Sequence, residues 1–318
     1  MQSKKSEGID VRRCWTLPGQ QNSYIWRIFV FISFVLSSLL ASVRVRRADV
    51  VIATSPPLPV AIVGLAIARI RRIPFVLEIR DLWPDFGVEL GVIKNKTLIW
   101  LARKIESLAY RNADCVIVNS PGYINHVKER GAKRIEVIPN GVDCSFFTIN
   151  RVVEERALKL RTTWNACEKF VLIYTGAMRK ANNLSVLLHA MKLIDIDDIL
   201  MVFVGNGNER DGLRELAESL RLKNVLFKET VKKSEMPAVL AAADCGIGCL
   251  APIPLFTMPY PNKVFDYMAA GRPVLCAIDG EIRKVVEKSE CGIYASAQSP
   301  SDISKAIVKI ASDKQGAD

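Results

Sequence analysis

A short stretch of the chain places a lysine and an aspartate around the predicted first turn of a helix. Pro261 and Asn262 suit that opening turn. Lys263 and Asp266 flank the same turn. Amides at a helix N-terminus bind phosphate, a lysine adds positive charge, and a carboxylate accepts hydrogen bonds from sugar hydroxyls. The combination is typical of a site for a nucleotide sugar.

The rest of this stretch predicts the elements that hold the two charged residues. Val264, Phe265 and Met268 give the helix an apolar face, and Gly271 suits the position just after a helix end. Residues 274–278 are apolar and predict a buried strand. An ordinary capped helix would explain the apolar residues, but not the lysine and aspartate at its first turn.

The run Asn262-Lys-Val-Phe-Asp-Tyr-Met-Ala-Ala-Gly-Arg-Pro-Val274 resembles the signature of family 4 glycosyltransferases. It is most similar to the bacterial branch that builds O-antigen and capsule repeat units. The resemblance implies that Asn262, Lys263 and Asp266 bind the donor, with Asp266 at the ribose and Lys263 at the pyrophosphate. In that family another acid lies eight positions earlier, where this chain has Met258.

The loop after residue 176 differs from the family pattern. The resemblance implies basic residues for the pyrophosphate at the positions of Ala177 and Asn182. We expect Arg179 and Lys180, in the same short loop, to take their place.

Three glycines complete the predicted donor site. Gly176 ends one predicted strand, and Gly205 and Gly207 follow another. A lone Gly-x-Gly is a weak signal, and the spacing of the dinucleotide-binding motif is absent.

The segment Glu78-Ile-Arg-Asp-Leu-Trp-Pro84 places charged residues where a predicted strand ends. It resembles the family's Arg-Asp-Leu-Trp-Pro element, which implies a loop that faces the cleft. We therefore predict two catalytic residues, Asp81 to orient or deprotonate the acceptor hydroxyl and Arg80 to meet a phosphate. An Arg–Asp pair that only holds the loop is an open alternative. The second family-like segment, Ile138-Pro-Asn-Gly-Val-Asp143, predicts a structural turn.

The order of apolar runs predicts two α/β domains. Four strands and three helices alternate in the first half, over residues 48–54, 60–69, 74–80, 93–111, 113–119, 122–130 and 134–139. Six strands alternate with helices after residue 169. Apolar strands separated by helices imply parallel sheets covered on both faces.

The resemblance implies the GT-B architecture, in which two Rossmann-like domains face each other across a cleft. We predict an acceptor-side domain over 1–150, a linker over 151–168 and a nucleotide-sugar domain over 169–318. Both termini look short against the family, and the first domain looks incomplete because its first strand is lacking.

Positive charge is concentrated in the first half of the chain. Residues 1–150 hold 21 Lys and Arg against 12 Asp and Glu, whereas residues 151–318 hold 23 against 21. The uncharged run over 28–43 is followed by Arg44, Arg46 and Arg47. Sixteen residues fall short of a bilayer span, so a helix pressed onto the membrane and a plain core helix are both open. Because the basic residues interleave with this apolar helix, we favour a membrane surface over nucleic acid as the partner.

Cysteine usage favours a reduced, cytoplasmic setting. The eight cysteines are scattered, and Cys245 and Cys249 lie in an apolar run that predicts burial. The chain has two histidines, so a zinc site is not expected. The resemblance likewise implies transfer without a cofactor or a required metal.

The predicted function is that of a retaining glycosyltransferase of cell-surface polysaccharide synthesis, such as lipopolysaccharide. It would move a sugar from a nucleotide diphosphate to a lipid-linked saccharide or polyprenyl-type acceptor, at the cytoplasmic face of the inner membrane. One alternative is a truncated, inactive GT-B chain that only binds a nucleotide or a partner. Another is an isomerase of the same architecture, which would need more acids and histidines in the cleft.

Overall fold

The computed structural model of the chain describes residues 2–6, 8–18, 24–45 and 48–315. The chain divides into two compact units, the first ending at Pro139 and the second beginning at Asn140. The division therefore lies eleven residues before the predicted end of the first domain at 150. Each unit contains a parallel sheet with helices between its strands, as the alternating pattern predicts.

In the first unit, the described residues form a two-stranded antiparallel hairpin, a four-stranded parallel sheet and five α-helices. These elements are β1 (Gln2–Ser6), β2 (Ile9–Arg13), α1 (Tyr24–Val43), β3 (Val51–Ser55), α2 (Pro59–Arg71), β4 (Phe75–Ile79), α3 (Asp85–Glu89), α4 (Lys96–Asn112), β5 (Cys115–Val118), α5 (Ile124–Glu129) and β6 (Ile135–Val137). The strand order is β3-β4-β5-β6.

The first sheet is fully buried on one face only. In β4, Phe75, Leu77 and Ile79 are buried, whereas Val76, which points to the opposite face, is only partly buried. On β3, Ile52 is 65% exposed. Each connection in this sheet moves one strand in the same direction, and right-handed crossovers then place α2, α4 and α5 on the same face. The prediction that helices cover both faces is therefore wrong for this sheet.

Helix α1 contains the uncharged run and packs against α2. The Arg71 guanidinium at the end of α2 donates hydrogen bonds to the carbonyls of Ser42 and Val45, both at 2.5 Å. Helix α1 buries Ser33 and Ala41. One side of α1 therefore packs as a core helix does.

Another part of the α1 surface is an exposed apolar stripe, formed by Phe29, Ile32, Leu36, Leu40 and Val43. Among the described residues, no helix combines the length and apolar character that a membrane crossing needs. Two of the arginines predicted to flank the helix, Arg46 and Arg47, lie outside the described residues.

In the second unit, the described residues form six strands and seven α-helices. These are α6 (Arg151–Thr163), β7 (Phe170–Thr175), α7 (Ser185–Lys192), β8 (Ile199–Val204), α8 (Arg210–Ser219), β9 (Val225–Lys228), α9 (Met236–Ala241), β10 (Cys245–Cys249), α10 (Asn262–Ala269), β11 (Val274–Ala277), α11 (Glu281–Lys288), β12 (Gly292–Tyr294) and α12 (Pro300–Gln315). The strand order is β12-β11-β10-β7-β8-β9.

The second sheet is covered on both faces, as predicted. Every residue of β7, β8 and β10 is buried, including Cys245 and Cys249. One core cluster contains Leu187 and Phe203, and another contains Val202 and Tyr267. From β7 the chain adds strands in one direction, and from β10 it adds them in the other. The carboxyl ends of β7 and β10 therefore mark the point where ligands bind in such sheets.

Residues 151–168 differ from the predicted linker. Residues 151–163 form α6, which packs against α9 and buries Ala157. Arg161 pairs with the buried Asp244 at 3.1 Å and donates to three backbone carbonyls. The helix has a polar exposed face and one narrow buried stripe, so its composition suggests a linker although its contacts belong to the second unit.

Candidate functional site

The loops after β7 and β8 pack backbone against backbone at the carboxyl edge of the second sheet. Gly176 and Gly205 both have positive φ, at 130° and 145°. A Cβ atom on Gly205 would lie 2.1 Å from the Gly176 carbonyl oxygen. A Cβ atom on Gly207 would lie 2.1 Å from the Met178 carbonyl oxygen. These glycines, predicted for the donor site, thus allow a close approach of two loops.

Lys263 reaches this edge from the first turn of α10. Its Nζ atom lies 3.8 Å from the centroid of the Tyr174 ring, and a Cβ atom on Gly176 would lie 3.4 Å from the same nitrogen. Burial lowers the pKa of Lys263 to about 7, and the nearby Cys249 opposes that change only weakly. No carboxylate among the described residues acts on this ammonium group. A cation in this setting is suited to bind an anionic ligand.

Tyr267 fixes α10 to the end of β7. Its hydroxyl oxygen accepts a hydrogen bond from the Thr175 N–H at 2.9 Å and lies 3.2 Å from the Thr175 hydroxyl. Its ring packs on Gly246 of β10, where a Cβ atom would lie 2.3 Å from the ring. Tyr267 was not predicted to be a positioning residue, because its partner is 92 positions away.

The N-terminus of α10 has no side-chain cap. Pro261 occupies the N-cap position and makes no side-chain hydrogen bond to the first amides. Asn262, the first helical residue, accepts a hydrogen bond from the Asn140 side chain at 2.9 Å. The turn that contains Asn140 was predicted to be structural, and the structure shows that it also contacts the predicted donor site.

Asp266 lies one turn after the start of the helix and is partly buried. Burial raises the pKa of its carboxyl group, and the positive charge of Lys233 opposes the rise. Lys233 begins the short 3-10 turn before α9 and was not identified from the sequence.

Arg179 and Lys180 lie in the exposed loop after β7. Burial raises the pKa of Tyr174, and Arg179 is a positive charge close enough to oppose that rise. Lys180 begins the turn Lys180–Asn182 on the exposed side of the loop. The structure therefore brings Gly176 and Lys263 together, and Arg179 lies three residues after Gly176 in the same loop.

Arg80 and Asp81 follow β4 at the carboxyl edge of the first sheet. The Arg80 N–H donates to the Ser55 carbonyl at 2.8 Å, and the Arg80 carbonyl accepts from the Asn119 side chain at 3.1 Å. These bonds tie together the ends of β3, β4 and β5. Burial raises the pKa of Asp81, and the charge of Arg80 opposes the rise. The backbone hydrogen bonds of Arg80 hold this loop, rather than an Arg80–Asp81 hydrogen bond.

A buried ionic network fixes the continuation of this loop. Asp85 pairs with Arg103 at 2.9 Å and with Arg130. Arg130 also pairs at 2.8 Å with Glu106, which is fully buried and accepts a hydrogen bond from Tyr110. The network joins α3, α4 and α5, and it explains why charged residues occupy otherwise buried helix faces.

Within the part of the chain that the structure describes, no group of three or more His, Cys, Asp and Glu side chains is arranged to hold a metal ion.

Comparison with known proteins identifies two family models in this chain. Residues 3–141 match the glycosyl transferase 4-like domain, and residues 169–313 match the glycosyl transferases group 1 model. Among curated relatives, the probable glycosyltransferase WbjE of Pseudomonas aeruginosa is 23% identical over 88% of this chain and 70% of its own length. The putative colanic acid biosynthesis glycosyl transferase WcaI of Escherichia coli is 26% identical over 76% of this chain. The chain spans only 61% of the length of WcaI.

Solved structures show the same fold. The Anabaena protein Alr3699/HepE in complex with UDP-glucose superimposes with a TM-score of 0.73 at 20% identity, covering 92% of this chain and 76% of that chain. Sucrose-phosphate synthase from Thermosynechococcus elongatus superimposes with a TM-score of 0.76 at 19% identity, covering 98% of this chain and 76% of that chain. At these identities the likeness shows the fold, which is GT-B.

Proposed function

The chain belongs to the GT-B glycosyltransferases that join a 4-like domain to a group 1 domain, and from that premise we propose that it transfers a sugar from a nucleotide diphosphate. The acceptor is a lipid-linked saccharide or polyprenyl-type lipid of cell-surface polysaccharide synthesis. The reaction retains the anomeric configuration and requires no metal. The enzyme works at the cytoplasmic face of the membrane.

The environment of Lys263 carries this proposal. A partly buried ammonium group with no carboxylate partner among the described residues lies beside Gly176 and an uncapped helix N-terminus. The positive end of the α10 dipole and the ammonium charge act on the same region. A diphosphate group would satisfy both the ammonium charge and the free amides.

In the proposed reaction, Lys263 and the α10 amides stabilise the diphosphate as the bond to the sugar breaks. Arg179 adds charge from the loop after β7. Asp266 accepts hydrogen bonds from the ribose hydroxyls. In the first unit, Asp81 orients or deprotonates the acceptor hydroxyl, and its raised pKa suits a group that takes up a proton.

The names of the relatives support a role in cell-surface polysaccharide synthesis. WcaI is named for colanic acid biosynthesis, and the Rhizobium meliloti relative LpsE for lipopolysaccharide core biosynthesis. The solved Anabaena structures contain UDP and UDP-glucose. We therefore propose a cell-surface polysaccharide as the product, and UDP as the first nucleotide to test.

Calorimetric titration with UDP, GDP, dTDP and ADP tests the donor site. We expect one nucleotide to bind, and the Lys263→Ala variant to bind it at least roughly tenfold more weakly, since a hydrogen bond to a charged group contributes about 1.5–3 kcal/mol. Lys192→Ala, which removes an exposed lysine of α7, is the matched control. If no nucleotide binds, or if both variants bind equally well, the donor-site assignment is wrong. Binding without transfer to any lipid-linked acceptor would favour the inactive alternative.

A further inference from the structure

Helix α4 of the first unit presents an unusual outward face. The helix buries Ala102, Glu106, Ala109 and Tyr110 against its unit. At 100° per residue, the side opposite this buried stripe carries Trp100, Lys104, Leu108 and Arg111. We call these four residues the outer face of α4; all four are exposed.

Large apolar side chains on this part of the helix are open to solvent. Trp100 is 61% exposed and Leu108 is 54% exposed. Leu101, beside the outer face, and Val92, in the preceding turn, are also exposed. The Lys104 ammonium lies 5.8 Å from the Trp100 ring centroid, so a cation and an indole share one patch.

The exposed charges between residues 92 and 111 are all positive. Residues 92–111 contain five Lys and Arg but a single acid, Glu106, which is fully buried in the network with Arg130 and Tyr110. Arg103 is compensated by Asp85 at 2.9 Å. No carboxylate of the described residues pairs with the other four cations, Lys94, Lys96, Lys104 and Arg111, which are all exposed.

The patch borders a groove of about 580 Å³. Apart from Val88 of α3, its lining comes from α4 and includes Lys96, Trp100, Lys104 and Arg111. A ligand that combines a negatively charged group with an adjacent apolar part would fit both the cations and the apolar side chains of this lining.

We propose that the outer face of α4 binds the headgroup region of an anionic lipid membrane. Indole rings prefer the membrane–water interface, and exposed lysines and arginines are attracted to acidic headgroups. Nucleic acid is less well matched, since Trp100 is a single aromatic ring, and Leu108 and Val92 add only aliphatic surface. This inference rests on the proposed function, because an enzyme with a lipid-linked acceptor must work at a membrane.

The assignment differs from a membrane contact through α1. The exposed stripe of α1 is apolar, but nothing in the structure indicates what covers it. The outer face of α4 adds unpaired cations to its exposed apolar side chains, and charge complementarity then specifies an anionic partner.

Vesicle flotation with the full chain tests the proposal. The vesicles are phosphatidylcholine alone, or phosphatidylcholine mixed with phosphatidylglycerol. We expect binding to the anionic vesicles only, weakened by salt. Lys104→Glu combined with Arg111→Glu should weaken it at least roughly thirtyfold, because each cation near the surface contributes about fivefold. The control is Lys305→Glu with Lys309→Glu, which makes the same charge change on exposed residues of α12 in the second unit.

Fluorescence quenching locates the contact. Lipids brominated near the headgroup should quench the emission of the wild-type chain more strongly than that of Trp100→Phe. Equal quenching in the two proteins would show that Trp100 does not touch the lipid.

Three other outcomes would overturn the assignment. In the first, the control on α12 weakens vesicle binding as much as the change on α4 does. In the second, binding survives the α4 change but is lost in Leu36→Glu, which would place the contact on α1. In the third, an oligonucleotide binds wild type more tightly than the anionic vesicles do. Nucleotide titration of the same variants separates this test from the proposed function, because loss of vesicle binding should leave the affinity for the nucleotide unchanged.

Discussion

The protonation of one side chain, Lys263, should control donor binding. Burial lowers its pKa to about 7, and a bound diphosphate would raise that pKa because it favours the charged form. Binding then takes up a proton, so affinity falls as pH rises through the pKa of the free protein. We expect the dissociation constant for the nucleotide to rise by up to roughly tenfold per pH unit above 7. Calorimetric titration between pH 7 and 9 measures this dissociation constant.

Lys263→Arg is the matched control for this pH dependence. A guanidinium group stays charged throughout the range, so its affinity should change little with pH even if it is weaker overall. The test is the slope of the nucleotide affinity against pH, and not the absolute affinity. Parallel slopes for the two proteins would mean that another group titrates.

Asp266 should act on the ribose of the donor. Asp266→Ala should raise the KM for the donor about tenfold or more, with a smaller change in kcat, since it removes a charge-assisted hydrogen bond. Steady-state kinetics with varied donor measure the effect, and Asp211→Ala on the exposed side of α8 is the control.

Deoxynucleotides identify the atom that Asp266 contacts. Wild type should bind the 2′-deoxy or the 3′-deoxy nucleotide more weakly than the ribonucleotide, and the Asp266→Ala variant should lose that discrimination. A variant that still discriminates as strongly as wild type would contradict the contact.

Single residues of the site were predictable where local sequence sets their position. Lys263 and Asp266 were identified because they flank a helix start that is specified by neighbouring residues. Tyr174 and Tyr267 were missed because their roles arise from contacts between distant segments. In the sequence, these tyrosines indicate only core packing. The fold shows that the Tyr267 hydroxyl also accepts a hydrogen bond from a buried N–H.

At the scale of elements, the close approach of two loops should depend on glycine. Gly205→Ala would force a Cβ atom to within 2.1 Å of the Gly176 carbonyl at a φ of 145°. We expect the free energy of unfolding to fall by about 3 kcal/mol or more, through strain and displacement of the loop. Urea unfolding measures the change, and nucleotide titration should show weaker binding.

Gly212→Ala provides the control within α8. A Cβ atom there meets no atom within 4 Å, and alanine favours a helix over glycine by roughly 0.5–1 kcal/mol. This variant should therefore be as stable as wild type or slightly more stable. If the two substitutions have the same effect, loop packing does not explain the role of Gly205.

The attachment of α10 to β7 should depend on one hydroxyl group. Tyr267→Phe leaves the Thr175 N–H without its acceptor in a buried position, which costs roughly 1–3 kcal/mol. Thermal unfolding should show a lower Tm, and donor affinity should fall because Lys263 is on the same helix. Tyr260→Phe, at a partly exposed ring, is the comparison. An unchanged Tm for Tyr267→Phe would refute the attachment.

Elements with strong local signals were predicted, and those with weak signals were not. Helix α10 is predicted over 262–270 from its proline start and from Gly271, where the observed φ is 65°, and the structure ends the helix one residue earlier, at Ala269. The sequence of helix α6 indicates a linker because polar residues dominate it, although Asn150 caps its start by accepting from the Val153 N–H. The open face of the first sheet depends on which side the helices pack, and no single strand sequence reveals that.

At the scale of the molecule, the two units differ in how completely their sheets are covered. The second unit has six strands with core clusters on both faces. The first unit has a four-stranded sheet with one face partly exposed, where Ile52 is 65% exposed. Because stability follows the apolar area that folding buries, the first unit should be the less stable of the two.

Calorimetric unfolding of the full chain should therefore show two transitions, with the nucleotide acting on the upper one alone. Every predicted donor-site residue lies in the second unit, so a ligand at 100 times its dissociation constant should stabilise that unit by about 2.7 kcal/mol. For a domain of this size the upper Tm should rise by roughly 5–10 °C. Lys263→Ala should keep both transitions but lose the shift. A shift of the lower transition would show that donor binding is not confined to the second unit. A single transition for the whole chain would show that the two units do not unfold independently.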